Sequence, residues 1–205
     1  MSGKNWLAPL TGVAFIVLLI VSFVIIGEEP PGVGDDSAAQ IVDFYSDKHD
    51  SVIAGAVIQT IAAAFFVFFG ATLFKVMRAA GAEASAMVGF AGTAIFAVGV
   101  ALDGTVSFAL AEAADDVDPV AMQTLAAFFE NDFLPFSLGL FVFLMGLGVA
   151  IIRHGVFPKW MGWVAAVASL TAVSPAFPVA GVVGLLAVLI TSIMLAMRER
   201  SGTTA

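Results

Sequence analysis

Hydrophobic residues in this chain come in long unbroken blocks, and short polar segments separate the blocks. Residues 7–26 are apolar but for Thr11 and Ser22, and Pro9 falls in the first turn, where a missing N–H costs little. Further blocks cover 52–77, 86–111, 133–152, 160–174 and 179–197. About 20 apolar residues at a rise of about 1.5 Å each match the roughly 30 Å hydrocarbon core of a bilayer. Each block is therefore read as a membrane-spanning helix, the fifth a short one. The pattern predicts an all-α polytopic membrane protein, a six-transmembrane-helix bundle forming a single domain over residues 1–205. The first block ends FVIIGEE, without the small residues of a cleavage site, and reads as a retained span.

Two polar connections are long enough to hold helices of their own. Within residues 37–49, Ala38, Ile41, Phe44, Tyr45 and the stem of Lys48 share one face, while Asp43, Asp47 and the following Asp50 share the other. Ser37 supplies a helix cap there. This is an amphipathic helix lying on the membrane surface or on the bundle. The second connection opens with Asp118-Pro119, a capping residue followed by proline at the first helical position. One helix from there to Arg153 would run about 50 Å, too long for a core of about 30 Å. The stretch is therefore split into an interfacial helix over 119–130 and the fourth span, with Asn131 or Asp132 as its cap.

Composition agrees with the blocks: 60% of the 205 residues are hydrophobic and 12% charged, with a mean hydropathy of +1.05. A soluble domain has about 45–50% and about 25%. The net charge of −8 matters less than where the charges fall. Lys4, Lys75, Arg78, Arg153, Lys159, Arg198 and Arg200 lie at one set of span ends, and Lys48 alone lies at the other. Positive ends stay inside, so both termini are expected in the cytoplasm of a bacterial plasma membrane, with both interfacial helices outside. Trp6, Trp160 and Trp163 then sit at the cytoplasmic interface. The eight scattered Lys and Arg form no basic patch, which excludes nucleic acid as a partner. With no cysteine, disulfides, thiolate metal sites and cysteine nucleophiles are excluded.

Asp103 is the candidate for chemistry. It is the sole ionisable residue in the third span, and an acid at membrane depth needs a partner inside the protein. Ser85, Gly92, Phe96, Gly99 and Ser107 share its face, a mostly small stripe that favours close helix approach. Asp103 lies nine residues below Glu112, and Gln59 nine below Asp50 on the preceding antiparallel span, so the two are expected to meet. Thr60, Thr105, Ser107, Ser137 and Ser169 fall in the same outer half. Together with Asp103 and Gln59 they are the candidate pocket, with Asp103 a proton or cation acceptor; the plainer role is a hydrogen-bonded Asp that fixes helix packing. Asp43, Asp47 and Asp50, beside His49 and the acids of 112–118, are weak candidates for a divalent cation, since their spacing matches no calcium loop. No zinc-hydrolase motif, nucleophile elbow or phosphate loop is present, so no catalytic residue and no cofactor are assigned. Gly139, Gly146, Gly148, Gly181 and Gly184 are read as sites of tight helix packing. The inner half offers little beyond Thr93, Thr191 and Ser192, which disfavours a permanently open pore.

FYSDKHDSVIAGAV, running from the first interfacial helix into a span, and RHGVFPKWMGWVAAVASL, a basic turn with a Trp-x-x-Trp start, carry a resemblance. The chain resembles a broad group of uncharacterised six-span actinobacterial membrane proteins over residues 37–200. The resemblance implies a plasma-membrane location and six helices, and no activity. Three functional readings stand, in this order. The first is a non-catalytic membrane component, with the lipid bilayer and another membrane protein or a second copy as partners. The second is a small-solute or proton-linked transporter using Asp103 and Gln59. The third is an envelope- or lipid-modifying enzyme at the outer face, using acids such as Asp103, Glu130 or Asp132.

Overall fold

A computed structural model of the chain describes residues 6–33 and 38–201. Among these residues there are eight α-helices and no strand: α1 (Thr11–Ile26), α2 (Ala38–Asp47), α3 (His49–Ala79), α4 (Glu83–Ala113), α5 (Pro119–Glu130), α6 (Phe133–His154), α7 (Lys159–Ala172) and α8 (Phe177–Ser201). A short 3₁₀ turn, Ala8–Leu10, leads into α1. The expected cap at Ser37 and the charge on Lys4 lie outside the described residues.

Five helical stretches are long and apolar enough to cross a membrane: Ala8–Ile26, His49–Ala79, Glu83–Ala113, Pro119–His154 and Phe177–Ser201. The fifth expected span, α7, has 14 residues and is about 21 Å long, short of a roughly 30 Å core. Outward faces are apolar, for example Val17, Ile20 and Val24 on α1 and Val164, Val167 and Leu170 on α7. Only a lipid environment makes so much exposed apolar surface stable, and the chain is membrane-embedded.

The break inside the long apolar stretch after Pro119 is real. Asp118 caps α5, its carboxylate accepting the Val120 N–H at 2.9 Å, with Pro119 in the first turn. The cap expected for α6 is different. Asn131 donates back to the Ala127 carbonyl at 2.8 Å, and Asp132 holds the N-cap position without a capping bond. Its carboxyl is buried in the protein instead.

Small residues set the spacing of the central helices. A Cβ on Gly92 would strike the backbone of Phe143, one on Gly99 the backbone of Phe136, one on Gly139 the backbone of Phe96, and one on Gly146 the backbone of Gly89. Antiparallel α4 and α6 therefore touch backbone to backbone along a seam of alternating three- and four-residue steps. Gly148 meets Gly162 on α7 in the same way. Gly184 abuts the Leu140 side chain, whereas the expected packing role fails for Gly181, whose Cβ position has nothing within 4 Å. Ser137 ties α6 to the Ala172 carbonyl of α7, and Ser192 ties α8 to the Pro9 carbonyl.

Phenylalanines fill the middle of the bundle. Phe66 stands 4.8 Å from Phe15, 5.1 Å from Phe96 and 5.3 Å from Phe143 between ring centres. At the basic end Arg198 donates to the Val156 carbonyl at 3.0 Å and lies over the Phe157 ring. At the acidic end α2 and α5 pack on each other across the ends of α3 and α4. Ile41, Tyr45, Met122 and Ala126 bury there against Leu110 and Ala111. The two amphipathic helices thus rest on the bundle, with Asp43, Asp47 and Asp50 exposed as the period required.

Candidate functional site

Beneath that cap the seam between α4 and α6 parts. The pairs Gly89–Gly146, Gly92–Phe143, Phe96–Gly139 and Gly99–Phe136 define one antiparallel register. One further step of that register brings Asp103 of α4 level with Asp132, the residue just before α6, and the Asp103 charge reaches the Asp132 carboxyl. Both line a cavity of about 1160 Å³ walled by α1, α3, α4, α6 and α8.

The cavity has three levels. Its floor is aromatic and aliphatic, made by Phe15, Phe66, Phe96, Phe136, Leu140 and Val188. The phenylalanine cluster closes it on the side of the basic ends. A polar belt of Tyr45, Gln59, Asp103, Ser107 and Asp132 lies above the floor. The rim is the segment 27–32 and Glu130, and the two are tied together: the Val33 N–H donates to the Glu130 carboxylate at 2.5 Å. Glu28 on this rim pairs with Lys48 at 3.3 Å. Gly181, without a neighbour at its Cβ position, leaves the α8 wall open at cavity level.

Within the belt, Gln59 donates to the Asp103 carboxylate at 2.6 Å. The equal distances of these residues from the acidic ends of α3 and α4 do bring them to one depth. Asp132 is 6% exposed, and its Oδ2 is buried with no hydrogen-bond partner among the described residues. A buried acceptor left without a donor is expensive, on the order of 1–3 kcal/mol. Tyr45 comes from α2, outside the spans; burial first, and the Asp103 charge second, push its phenol above the ordinary tyrosine value.

The other residues expected around Asp103 are placed elsewhere. Thr60 bonds the Ala56 carbonyl at 2.9 Å and packs toward Gly104, and Thr105 is exposed and bonds Ala101 at 2.7 Å. Ser137 is committed to Ala172, and Ser169 bonds Ala166 at 2.7 Å. Serines and threonines in apolar helices satisfy themselves on the preceding turn, so shared depth does not bring them to one cavity. Ser107 alone of these hydroxyls lines it. The sequence placed Tyr45 on an interfacial helix and offered Asp132 only as a helix cap or as one of the outer-face acids of the enzyme reading, and it gave no sign of the strap over 27–32. The signal for Asp132 was present in the glycine spacings that fix the register.

Outside the cavity, His49 lies 3.0 Å from Asp50 and 3.5 Å from Glu112, and Ser46 donates to Asp115 at 2.8 Å. Among the described residues no three His, Asp or Glu side chains converge as metal ligands, Asp43, Asp47 and Asp50 included. His49 and His154 stand at opposite ends of the bundle, the latter beside the Gly81 turn.

Comparison with curated proteins and with solved structures finds no match. A family described as "Domain of unknown function (DUF4386)" matches residues 10–198, nearly the whole of the described fold, and the chain belongs to that family.

Proposed function

We propose that this protein is a non-catalytic membrane component that binds a small amphipathic molecule in the cavity under the α2–α5 cap. The observation that carries this reading is the combination of a large apolar chamber with a sparse polar belt at one end. Ligand sites have that make-up: apolar walls for burial and a few polar groups for orientation. On this reading α7 is a short sixth crossing, both termini face the cytoplasm of a bacterial plasma membrane, and the cavity mouth faces out.

Gly181→Phe tests it. Gly181 lines the cavity and a Cβ there has nothing within 4 Å, so bulk added at this position takes up space at the chamber wall. The folded variant should lose any lipid-like molecule that co-purifies with the wild type in native mass spectrometry. An unchanged bound species would refute the reading. Since the chain has no cysteine, single introduced cysteines in 27–33 and after Arg198, labelled with an impermeant maleimide, test the orientation.

A second reading, a transporter caught open to the outside, is favoured by the single-ended shape of the cavity. The Phe15–Phe66–Phe96 cluster would be its inner gate. Flux in proteoliposomes that rises on Phe66→Ala would support it over a binding component.

A further inference from the structure

The cavity is acidic and lacks a counter-charge of its own. Asp103, Asp132, Glu28, Glu29 and Glu130 line it, and among the described residues no Lys, Arg or His does. Lys48 pairs with Glu28 at the rim. An anionic or phosphate-bearing head would meet these five carboxylates, and among the described side chains that line the cavity the polar donors are neutral: the Gln59 amide, which donates to Asp103, and the hydroxyls of Tyr45 and Ser107. Like charges in a site of low polarity repel strongly.

Asp132 sharpens this. The α4–α6 seam sets it opposite Asp103, it is nine-tenths buried, and its Oδ2 lacks any hydrogen-bond partner among the described residues. An apolar ligand leaves that oxygen unsatisfied. A ligand with an N–H donor satisfies it, and a charged donor does so most strongly. Just below lie the faces and edges of Phe96 and Phe136, 6.3 Å apart, surroundings that tolerate a cation and an attached hydrocarbon alike.

We infer that the cavity selects amphipathic amines: a protonated primary or secondary amine held between Asp132 and Asp103, with its hydrocarbon body in the phenylalanine chamber. This rests on the pocket reading above and names the class of ligand for it. The carboxyl with the vacant acceptor takes the N–H, while Asp103, oriented by Gln59, supplies the second negative charge. A quaternary ammonium keeps the charge and loses the donor, so it should bind between the amine and a neutral alcohol.

The test uses the full chain in nanodiscs of zwitterionic phosphatidylcholine and three radiolabelled probes of one chain length: dodecylammonium, dodecyltrimethylammonium and dodecanol. Binding to Gly181→Phe is subtracted as bilayer partitioning. Dodecylammonium should bind saturably and about tenfold or more tightly than dodecanol, the effect of one charge-assisted hydrogen bond. The trimethyl probe should fall between them. In Asp132→Asn the amine should lose most of that preference while dodecanol is unchanged. Thermal unfolding shows whether the variant is intact, and the three-probe ranking in the wild type needs no variant. Dodecanol binding as tightly as the amine would overturn the amine inference and leave the pocket standing. No saturable binding of any probe above the Gly181→Phe background would overturn both.

Discussion

A methyl group added at Gly92 should cost stability, and one added at Gly181 should not. At Gly92 the new Cβ lands on the Phe143 amide, and at Gly139 on that of Phe96. These obstacles are backbone, which cannot rotate aside as a side chain can. To restore van der Waals contact of about 3.5–4 Å, α4 and α6 must part by on the order of 1 Å. Overpacking of this kind costs about 1–3 kcal/mol, from which Ala in place of Gly recovers about 0.5–1 kcal/mol of helix propensity. The net loss for Gly92→Ala or Gly139→Ala is on the order of 1–2 kcal/mol. Gly181 has nothing within 4 Å, so Gly181→Ala meets no obstacle and keeps the propensity gain. The two seam variants are coupled, because helices already parted by one methyl accommodate the next more easily. Their double variant should lose less than the sum of the singles. Unfolding in mixed micelles, followed by circular dichroism against denaturing detergent, reads all four. If Gly92→Ala proved as stable as Gly181→Ala, the backbone seam, and with it the register that sets Asp103 against Asp132, would be wrong.

Three further outcomes are expected. Gln59→Met should destabilise by about 1–3 kcal/mol by leaving the Asp103 carboxyl without its donor, and Gln59→Met with Asp103→Leu should recover most of that; absence of coupling would show the 2.6 Å bond to be idle. Tyr45 is the single tyrosine, so phenolate absorbance reports it alone: no signal should appear through its ordinary 10.0, and Asp103→Asn should bring the titration back part of the way. Because the folded value lies above the unfolded one, this group's stabilising contribution is whole below about pH 10 and is lost as pH rises beyond it; stability flat through that range would refute the burial. Asp118→Ala should cost about 1 kcal/mol through the lost cap of α5, and Asp118→Asn much less, measured by the same unfolding assay.

The parts of this fold that were legible in the sequence are those set by transfer to lipid and by helix ends. Apolar block length located the long spans within a few residues, and Asp118-Pro119 located α5, because both signals act on one segment at a time. Depth was legible too: counting residues from the acidic ends brought Gln59 and Asp103 together. Rotation was not, and rotation decides which side chains share a cavity. Thr60, Ser137 and Ser169 had the right depth and the wrong facing, since each hydroxyl was already satisfied by a carbonyl on its own or a neighbouring helix.

Asp132 shows how rotation could have been recovered. Standing just before an apolar run, it reads locally as a helix cap, which is the commonest use of Asp there. Yet 89, 92, 96, 99 and 103 on α4 step by three and four, and so do 136, 139, 143 and 146 on α6 together with 132 at its N-cap. Laid antiparallel, the two series match Gly to Phe or Gly at every inner level, and the glycines are spaced so that bulk on one helix meets none on the other. The register the structure adopts continues, one step on, to Asp103 and Asp132. Two carboxyls brought together among helices repel when both are ionised, and one oxygen of Asp132 has no hydrogen-bond partner among the described residues. The seam that gives the bundle its tightness therefore also turns the two acids toward the chamber that both line, and the ammonium group proposed above supplies the charged donor that the free Asp132 oxygen can accept.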